Sequence, residues 1–94
     1  MAASIDVTKS AEAAYEVRVT EGKSESRHRV TLSEKDYARL TNGKIPPEEL
    51  IRRSFEFLLE HESKQSILGH FDLMLISRYF PQYEREIRNR IASG

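Results

Sequence analysis

The chain has 94 residues, 32% of them charged, and its positive and negative charges balance to zero, a composition typical of one small folded domain rather than a nucleic-acid binder. It has no cysteine, which excludes disulfides, thiolate nucleophiles and cysteine-bound zinc. No apolar run is long enough for a membrane span and the N-terminus lacks the pattern of a secretory signal, so we expect a cytoplasmic protein with no membrane partner.

The first predicted elements are strands. Residues 1–13 are small and polar and show no periodicity, which predicts a flexible tail before a single domain over residues 14–92. Two runs of alternating apolar and polar residues follow, at 14–20 and 27–32. Such alternation indicates half-buried strands, and the short polar stretch between them predicts an antiparallel hairpin.

Two turns can join these strands. A four-residue loop, Gly22–Glu25, places Val19 opposite His28 and aligns the apolar residues of both strands. A two-residue turn at Gly22–Lys23 suits type II′ geometry but leaves Val19 facing Ser26. We favour the longer loop, because paired apolar side chains outweigh the single exposed ion pair that the shorter turn offers.

Four helices are predicted after the hairpin. Ser33 has the position of an N-cap, and Asn42–Gly43 is a typical stop signal for the short helix that follows it. A proline and two acids predict the start of a helix over 47–62, whose apolar side chains cover more than half of its circumference and make it the central helix. Residues 63–71 are predicted to be a linker with one helical turn at Ile67–Leu68, and two further helices are predicted at 72–80 and 82–92.

These elements predict an α+β fold, with an N-terminal two-stranded antiparallel hairpin packed on a small bundle of about four helices. An isolated hairpin is marginally stable in water. The hairpin therefore either packs on the helices of its own chain or pairs with a second chain, and the sequence leaves both arrangements open.

The predicted 72–80 helix is apolar nearly all round, and the run around it resembles small bacterial proteins, a likeness that implies no function. A helix of this kind either completes the core or forms a surface for a partner protein or a second copy of the chain. The candidate interaction surface consists of Leu73, Met74, Leu75, Tyr79 and Phe80.

A second candidate surface lies in the strand Arg27-His28-Arg29-Val30-Thr31-Leu32, followed by a serine-capped helix and the segment Pro47-Glu48-Glu49-Leu50-Ile51-Arg52-Arg53. This pattern resembles the ribbon-helix-helix family of DNA-binding proteins. The resemblance implies a dimer whose paired strands enter the major groove. It assigns base contacts to Arg27, Arg29 and Thr31.

No other constellation indicates chemistry. His28, His61 and His70 lie on three predicted elements without the spacing of metal ligands. His28 lies on the inward face of its strand and His61 within the apolar arc of its helix, so both are expected to be hydrogen-bonded core or boundary histidines. We expect no catalytic residues, no metal and no cofactor. The favoured function is a non-enzymatic protein-interaction or accessory module that can self-associate. The alternative is a dimeric ribbon-helix-helix-like DNA-binding regulator, so nucleic acid stays open as a partner.

Overall fold

The computed structural model describes residues 3–93 and confirms the α+β class. Its centre is a four-stranded sheet with the strand order β1-β2-β3-β4. Helices cover one face of the sheet, which we call the inner face, and the opposite outer face is exposed. The predicted two-stranded hairpin is therefore wrong in strand number, because one strand was missed before it and one after the central helix. The element bounds are β1 Ser4–Ala11, β2 Ala14–Glu21, β3 Ser24–Thr31, α1 Glu34–Thr41, α2 Pro47–His61, β4 His70–Asp72, α3 Ile76–Tyr79 and α4 Tyr83–Ser93.

Strand β1 occupies most of the segment that was expected to be a flexible tail. Its residues pair antiparallel with β2, with Ile5 opposite Val19 and Val7 opposite Val17. Ile5 and Val7 are half-buried on the inner face and pack against the core. Residues 1 and 2, which the same prediction covered, lie outside the described part of the chain.

The hairpin of β2 and β3 has the two-residue turn, so the favoured four-residue loop is wrong. Val19 lies opposite Ser26, and Val17 lies opposite His28. Gly22 has φ 60°, the left-handed value that the first central residue of a type II′ turn requires. Val19 is fully buried although its cross-strand neighbour is polar, because residues covering the inner face shield it from solvent. Pairing of apolar side chains across the strands therefore did not decide the register.

The turn between β1 and β2 contains a strained alanine. Ala13 has φ 60°, a conformation that costs an L-residue roughly 1–2 kcal/mol. We expect Ala13→Gly to raise the free energy of unfolding by about 0.5–1 kcal/mol, after allowance for the greater freedom of glycine in the unfolded chain.

Thermal unfolding followed by circular dichroism measures this change as a rise in Tm of about 2–6 °C. Gly22→Ala is the matched control, because Gly22 has the same φ of 60° and no atom lies within 4 Å of an added Cβ. This control is expected to lower Tm. An unchanged or lowered Tm for Ala13→Gly would show that the turn relaxes without strain.

The last strand, β4, pairs in parallel with β3. Val30 lies opposite Phe71, and both side chains are buried. This segment was expected to be a linker with one helical turn. A three-residue strand has too few residues to show a period of two, so its pairing depends on the partner strand rather than on its own sequence.

The helices follow the predicted boundaries in most places. Ser33 caps α1 by accepting a hydrogen bond from the Asp36 amide at 3.1 Å, and Asn42 ends it with φ 52°. The predicted bounds of α2 and α4 are confirmed to within one residue. The single helix expected at 72–80 is instead a 3₁₀ turn at Leu73–Leu75 followed by the short helix α3.

The wide apolar arc of α2 is explained by its two neighbours, which confirms its central position. On the sheet side, Phe55 packs against His28 with ring centroids 5.3 Å apart. On the other side, Phe57 packs against Tyr83 of α4 at 5.5 Å. Both phenylalanines are completely buried, so α2 is enclosed between the sheet and the C-terminal helices.

The first turn of α2 holds a carboxylate that responds to acid. Glu49 accepts hydrogen bonds from the guanidinium of Arg52 at 2.9 Å and from that of Arg53 at 2.8 Å. The two arginines, Arg52 foremost, lower the pKa of Glu49 from 4.5 to about 2, against a smaller opposing effect of burial. Because the folded-state pKa is depressed, this stabilisation is complete above the unfolded pKa and is lost as the pH falls towards 2.

We expect acid to remove on the order of 1–2 kcal/mol through Glu49, a figure reduced for solvent screening because a quarter of its side chain is exposed. Urea unfolding measured in steps from pH 6 to pH 2 tests this. In Glu49→Gln the acid-dependent loss should shrink by that amount. The control is Glu34→Gln in the first turn of α1, and an equal change in both variants would contradict the assignment.

Candidate protein-interaction groove

Residues 66–72, which include β4, are held against β3 by hydrogen bonds. The His28 Nδ1–H donates to the Leu68 carbonyl at 2.8 Å, and the Arg29 amide donates to the Gly69 carbonyl at 2.7 Å. These bonds join residues that are forty positions apart in the chain. Segment 66–72 therefore has a fixed position against the sheet.

His28 is a hydrogen-bonded core histidine, as the sequence predicted. The residue is 3% exposed, and its ring lies against Phe55. Because Nδ1 carries the proton donated to Leu68, Nε2 is an acceptor, and the Ser26 hydroxyl donates to it at 2.8 Å. Both ring nitrogens are thus satisfied in an enclosed position, and the side chain links β3 to segment 66–72.

Asp72 holds the other end of this segment. One of its carboxylate oxygens accepts a hydrogen bond from the Thr31 hydroxyl at 2.7 Å. The other accepts one from the Met74 amide at 3.1 Å and so caps the 3₁₀ turn at Leu73–Leu75. The turn and α3 therefore leave the sheet in a defined direction.

An apolar groove of about 240 Å³ opens between the end of α2, segment 66–72 and α3. Buried side chains that belong to the core line it, among them Leu58, Ile67, Phe71 and Ile76. Its other lining residues are Leu75, Leu68, Tyr79, Glu62 and Ser66.

Two large apolar residues at the rim of the apolar groove are unusually exposed to solvent. Leu68 is 48% exposed and Tyr79 is 67% exposed, and these are the large hydrophobic residues that are exposed within residues 3–93. Single exposed apolar residues are common on protein surfaces, but two that flank one groove are typical of a binding site. The groove is smaller than a usual small-molecule pocket, and its size suits one or two side chains of a partner.

The structure distributes the five residues of the predicted interaction surface over three environments. Tyr79 and Leu75 line the apolar groove. Leu73 is completely buried. Met74 and Phe80 are half-buried, with the Met74 sulfur 3.8 Å from the Arg39 guanidinium and the Phe80 ring 5.7 Å from that of Phe57. Two of the five residues thus belong to the groove.

Apart from Ile76 on α3, the apolar residues of the groove that the sequence analysis missed come from elsewhere in the chain. Leu58 lies on α2, and Ile67, Leu68 and Phe71 lie in the stretch interpreted as a linker. A signal was present at Leu68, because a large aliphatic residue directly before a glycine in a polar linker has no local reason for burial. The meeting of these residues with α3 depends on β4, which the sequence did not reveal.

The outer face of the sheet holds the residues assigned to DNA by the family resemblance. Arg27 and Arg29 are exposed and Thr31 is half-buried, at alternate positions of β3. Thr31 is engaged by Asp72. Strand β3 is paired with β2 along one edge and with β4 along the other, so pairing with a second chain would require one neighbour to leave. The resemblance stays a prediction.

Acids accompany these arginines on the outer face. Arg18 pairs with Asp6 at 3.4 Å, and Arg27 pairs with Glu25 at 3.0 Å. Glu16 lies opposite Arg29 and Asp72 opposite Thr31 in the strand register. With these four carboxylates beside its three arginines, the face has no excess positive charge, which binding to a phosphate backbone would need.

Buried tyrosines hold their protons firmly. Burial strongly raises the pKa of Tyr83, whose hydroxyl lies 2.7 Å from that of Ser54. Burial also raises the pKa of Tyr15, with a smaller contribution from the charge of Glu48. Both side chains therefore stay neutral in the folded protein at ordinary pH.

Within residues 3–93, no three histidine, aspartate or glutamate side chains lie in a group that could hold a metal ion. His61, expected in the core or at its boundary, is exposed at the end of α2, where its ring centroid lies 4.7 Å from that of Phe57 and 5.1 Å from that of Phe80. His70 is exposed on β4. No helix in this part of the chain has the length and apolar character needed to cross a membrane.

No protein-family model, curated protein or solved structure matches the chain.

Proposed function

We propose that the protein is a non-enzymatic interaction module that binds a partner protein through the apolar groove. The observation that carries this proposal is that Leu68 and Tyr79, the exposed large apolar residues, flank the same groove. Burying their apolar surface against a partner is favourable by roughly 25 cal/mol per Å². A few large residues around a filled, desolvated pocket at the centre of an interface often dominate its binding energy, and tyrosine is one of the residue types enriched there.

The fixed position of the groove walls supports the same function. The bonds of His28, Arg29 and Thr31 to segment 66–72 hold one wall in place before any partner arrives. Binding to a preformed site avoids the entropy cost of ordering it. Glu62 lines the groove and favours a basic residue in the partner beside the apolar anchor. The proposed ligand is therefore a peptide segment with one or two large apolar side chains and a neighbouring lysine or arginine.

Selection from a random displayed peptide library tests this proposal, because it offers the groove many peptide sequences at once. We expect enriched peptides to share a large apolar anchor next to a basic residue. The Leu68→Ser/Tyr79→Ser double variant should bind them at least about 10-fold more weakly. Both positions are well exposed, so the fold should persist, which a circular dichroism spectrum can check.

Arg27→Ser on the outer face is the matched control, since it also removes a large exposed side chain. It should bind the selected peptides as the unchanged protein does. Peptides that bind the double variant and the unchanged protein equally, or a library that yields no enriched peptide, would rule the groove out as the binding site.

The second candidate function is a ribbon-helix-helix-like DNA-binding regulator. The observation in its favour is that Arg27 and Arg29 project from alternate positions on the exposed outer face. Arginine can bond guanine through two hydrogen bonds. Against this stand the acids of that face and the pairing of β3 on both edges.

We expect no binding of mixed-sequence duplex DNA at protein concentrations up to roughly 100 μM in low salt, because the outer face has no excess positive charge. Fluorescence anisotropy of labelled DNA measures this directly. Binding that weakens steeply with salt and is lost in Arg27→Ala/Arg29→Ala would favour the regulator. Lys35→Ala/Lys44→Ala, which removes two charges away from the sheet, is the control.

A further inference from the structure

Strand β1 forms an open edge of the sheet. It is the outermost strand in the order β1-β2-β3-β4, and within residues 3–93 its backbone hydrogen bonds go to β2. Alternate residues of an edge strand direct their N–H and C=O groups away from the sheet, where they can pair with another strand. With eight residues, this edge is long enough to pair with another strand.

The inner face is also incompletely covered at this edge. Ile5 and Val7 point towards the core but are only half-buried, whereas Val17 and Val19 beside them on β2 are fully buried. A further strand placed alongside β1 would cover the remaining apolar surface of both residues. The open backbone groups and the partly covered apolar residues thus indicate the same neighbour.

We propose that this neighbour is β1 of a second copy of the chain, antiparallel to the first. The two sheets then join into one sheet of eight strands around a two-fold axis, the commonest symmetry of protein dimers. The charge of the chain permits this association, since its net charge is zero and no long-range repulsion opposes it.

The register of the pairing follows from the side chains. Residues directly opposite each other share a face, so the inner faces of both copies coincide only if the axis passes through a residue rather than between two. An axis at Asp6 would oppose two carboxylates, which is unfavourable. An axis at Thr8 would draw in the irregularity between Lys9 and Ala11, where the ladder is distorted.

An axis at Val7 avoids both problems. Val7 then lies opposite Val7 of the second copy, Asp6 opposite Thr8, and Ile5 opposite Lys9. The Thr8 hydroxyl can donate to the Asp6 carboxylate, and the aliphatic part of Lys9 covers Ile5. The residue pairs from Ile5 to Lys9 form a small interface, so the dimer is weak and requires high protein concentration.

Sedimentation of the unchanged protein at concentrations between about 5 and 500 μM tests for the dimer. This concentration range suits the weak association expected of an interface of this size. The average mass should rise from monomer towards dimer. Thr8→Asp faces solvent on the outer face and would oppose Asp6 of the second copy, so it should weaken the dimer at least about 10-fold. Thr20→Asp on β2 is the control. Thr8 lies opposite Glu16 within its own sheet and Thr20 lies opposite Glu25, so both variants place an aspartate beside a glutamate, but Thr20 is not on the edge strand.

Single cysteines test the register, since the chain has none of its own. Val7→Cys should form a disulfide-linked dimer under mild oxidation, because directly opposite Cβ atoms approach to about 4.5 Å, the upper end of the range that a disulfide spans. Asp6→Cys and Thr8→Cys should link to each other when mixed and link far less to themselves. Glu16→Cys on β2 should stay monomeric.

A monomer at all concentrations would overturn the proposal. A dimer that Thr8→Asp does not weaken, or one in which Glu16→Cys links as readily as Val7→Cys, would place the contact elsewhere and overturn it as well.

Discussion

Replacing Phe57 by alanine is expected to lower the free energy of unfolding by about 4 kcal/mol, the middle of the range for a large buried aromatic residue. Phe57 is completely buried and lies among several elements of the C-terminal half. Its ring centroid lies 5.7 Å from that of Phe80 and 5.5 Å from that of Tyr83, and the Arg90 guanidinium lies over it at 5.6 Å. Replacement by alanine would leave a cavity, and these neighbours cannot all move inward to fill it.

Urea unfolding followed by circular dichroism measures this loss. Since a small domain has only about 5–15 kcal/mol of stability in total, the variant should be partly unfolded under mild conditions. Phe57→Leu keeps most of the volume and should lose less than about 1.5 kcal/mol. Tyr79→Ala is the exposed control and should stay within about 0.5 kcal/mol of the unchanged protein. A loss below about 1 kcal/mol for Phe57→Ala would mean that the helices repack around the gap.

Replacing Glu21 by glutamine is expected to destabilise the protein by about 2–3 kcal/mol. The Glu21 carboxylate lies 3.2 Å from the Lys64 ammonium, whose side chain is 4% exposed. Removal of one partner leaves a buried charge uncompensated, and this is more harmful than removal of the pair. The expected loss is below the usual figure for a fully buried pair because Glu21 itself is 43% exposed.

The same argument predicts a much smaller effect for the lysine. Lys64→Met should change stability by less than about 1 kcal/mol, and adding it to Glu21→Gln should restore most of the loss. Glu25→Gln breaks the exposed pair with Arg27 and should have an effect within about 0.5 kcal/mol. If Glu21→Gln has an equally small effect in the same urea experiment, water must reach the ammonium of Lys64.

The elements that the sequence predicts well are those with strong local signals. The proline and acids at the start of α2 and its wide apolar arc describe a central helix without reference to the rest of the chain. Strand β1 has only a short signal, the alternation of apolar and polar residues over positions 5–8, and the turn after it gives none, because Ala13 adopts a conformation normally marked by glycine. The segment 72–80 is apolar on all sides, so no period distinguished one helix from the 3₁₀ turn and short helix that form.

The apolar groove could be predicted only in part for a related reason. The apolar density around Tyr79 and Leu75 identified one wall. The other wall depends on contacts between β3 and β4, which join positions about forty residues apart. Sequence patterns describe which residues share a face of one element, and they carry no information on which distant element will lie beside it.

The parallel pairing of β4 with β3 also has a consequence for the order of folding and for local opening. The hairpins of β1, β2 and β3 connect neighbouring residues, whereas β4 must close a loop of about forty residues for a ladder of three positions. Segment 66–72 is therefore expected to dock late in folding. In the native state it stays closed almost all of the time, but the rare local openings should begin there, with faster amide exchange than in β2. A partner in the apolar groove would hold this segment closed, so binding and the kinetic protection of β4 should rise together.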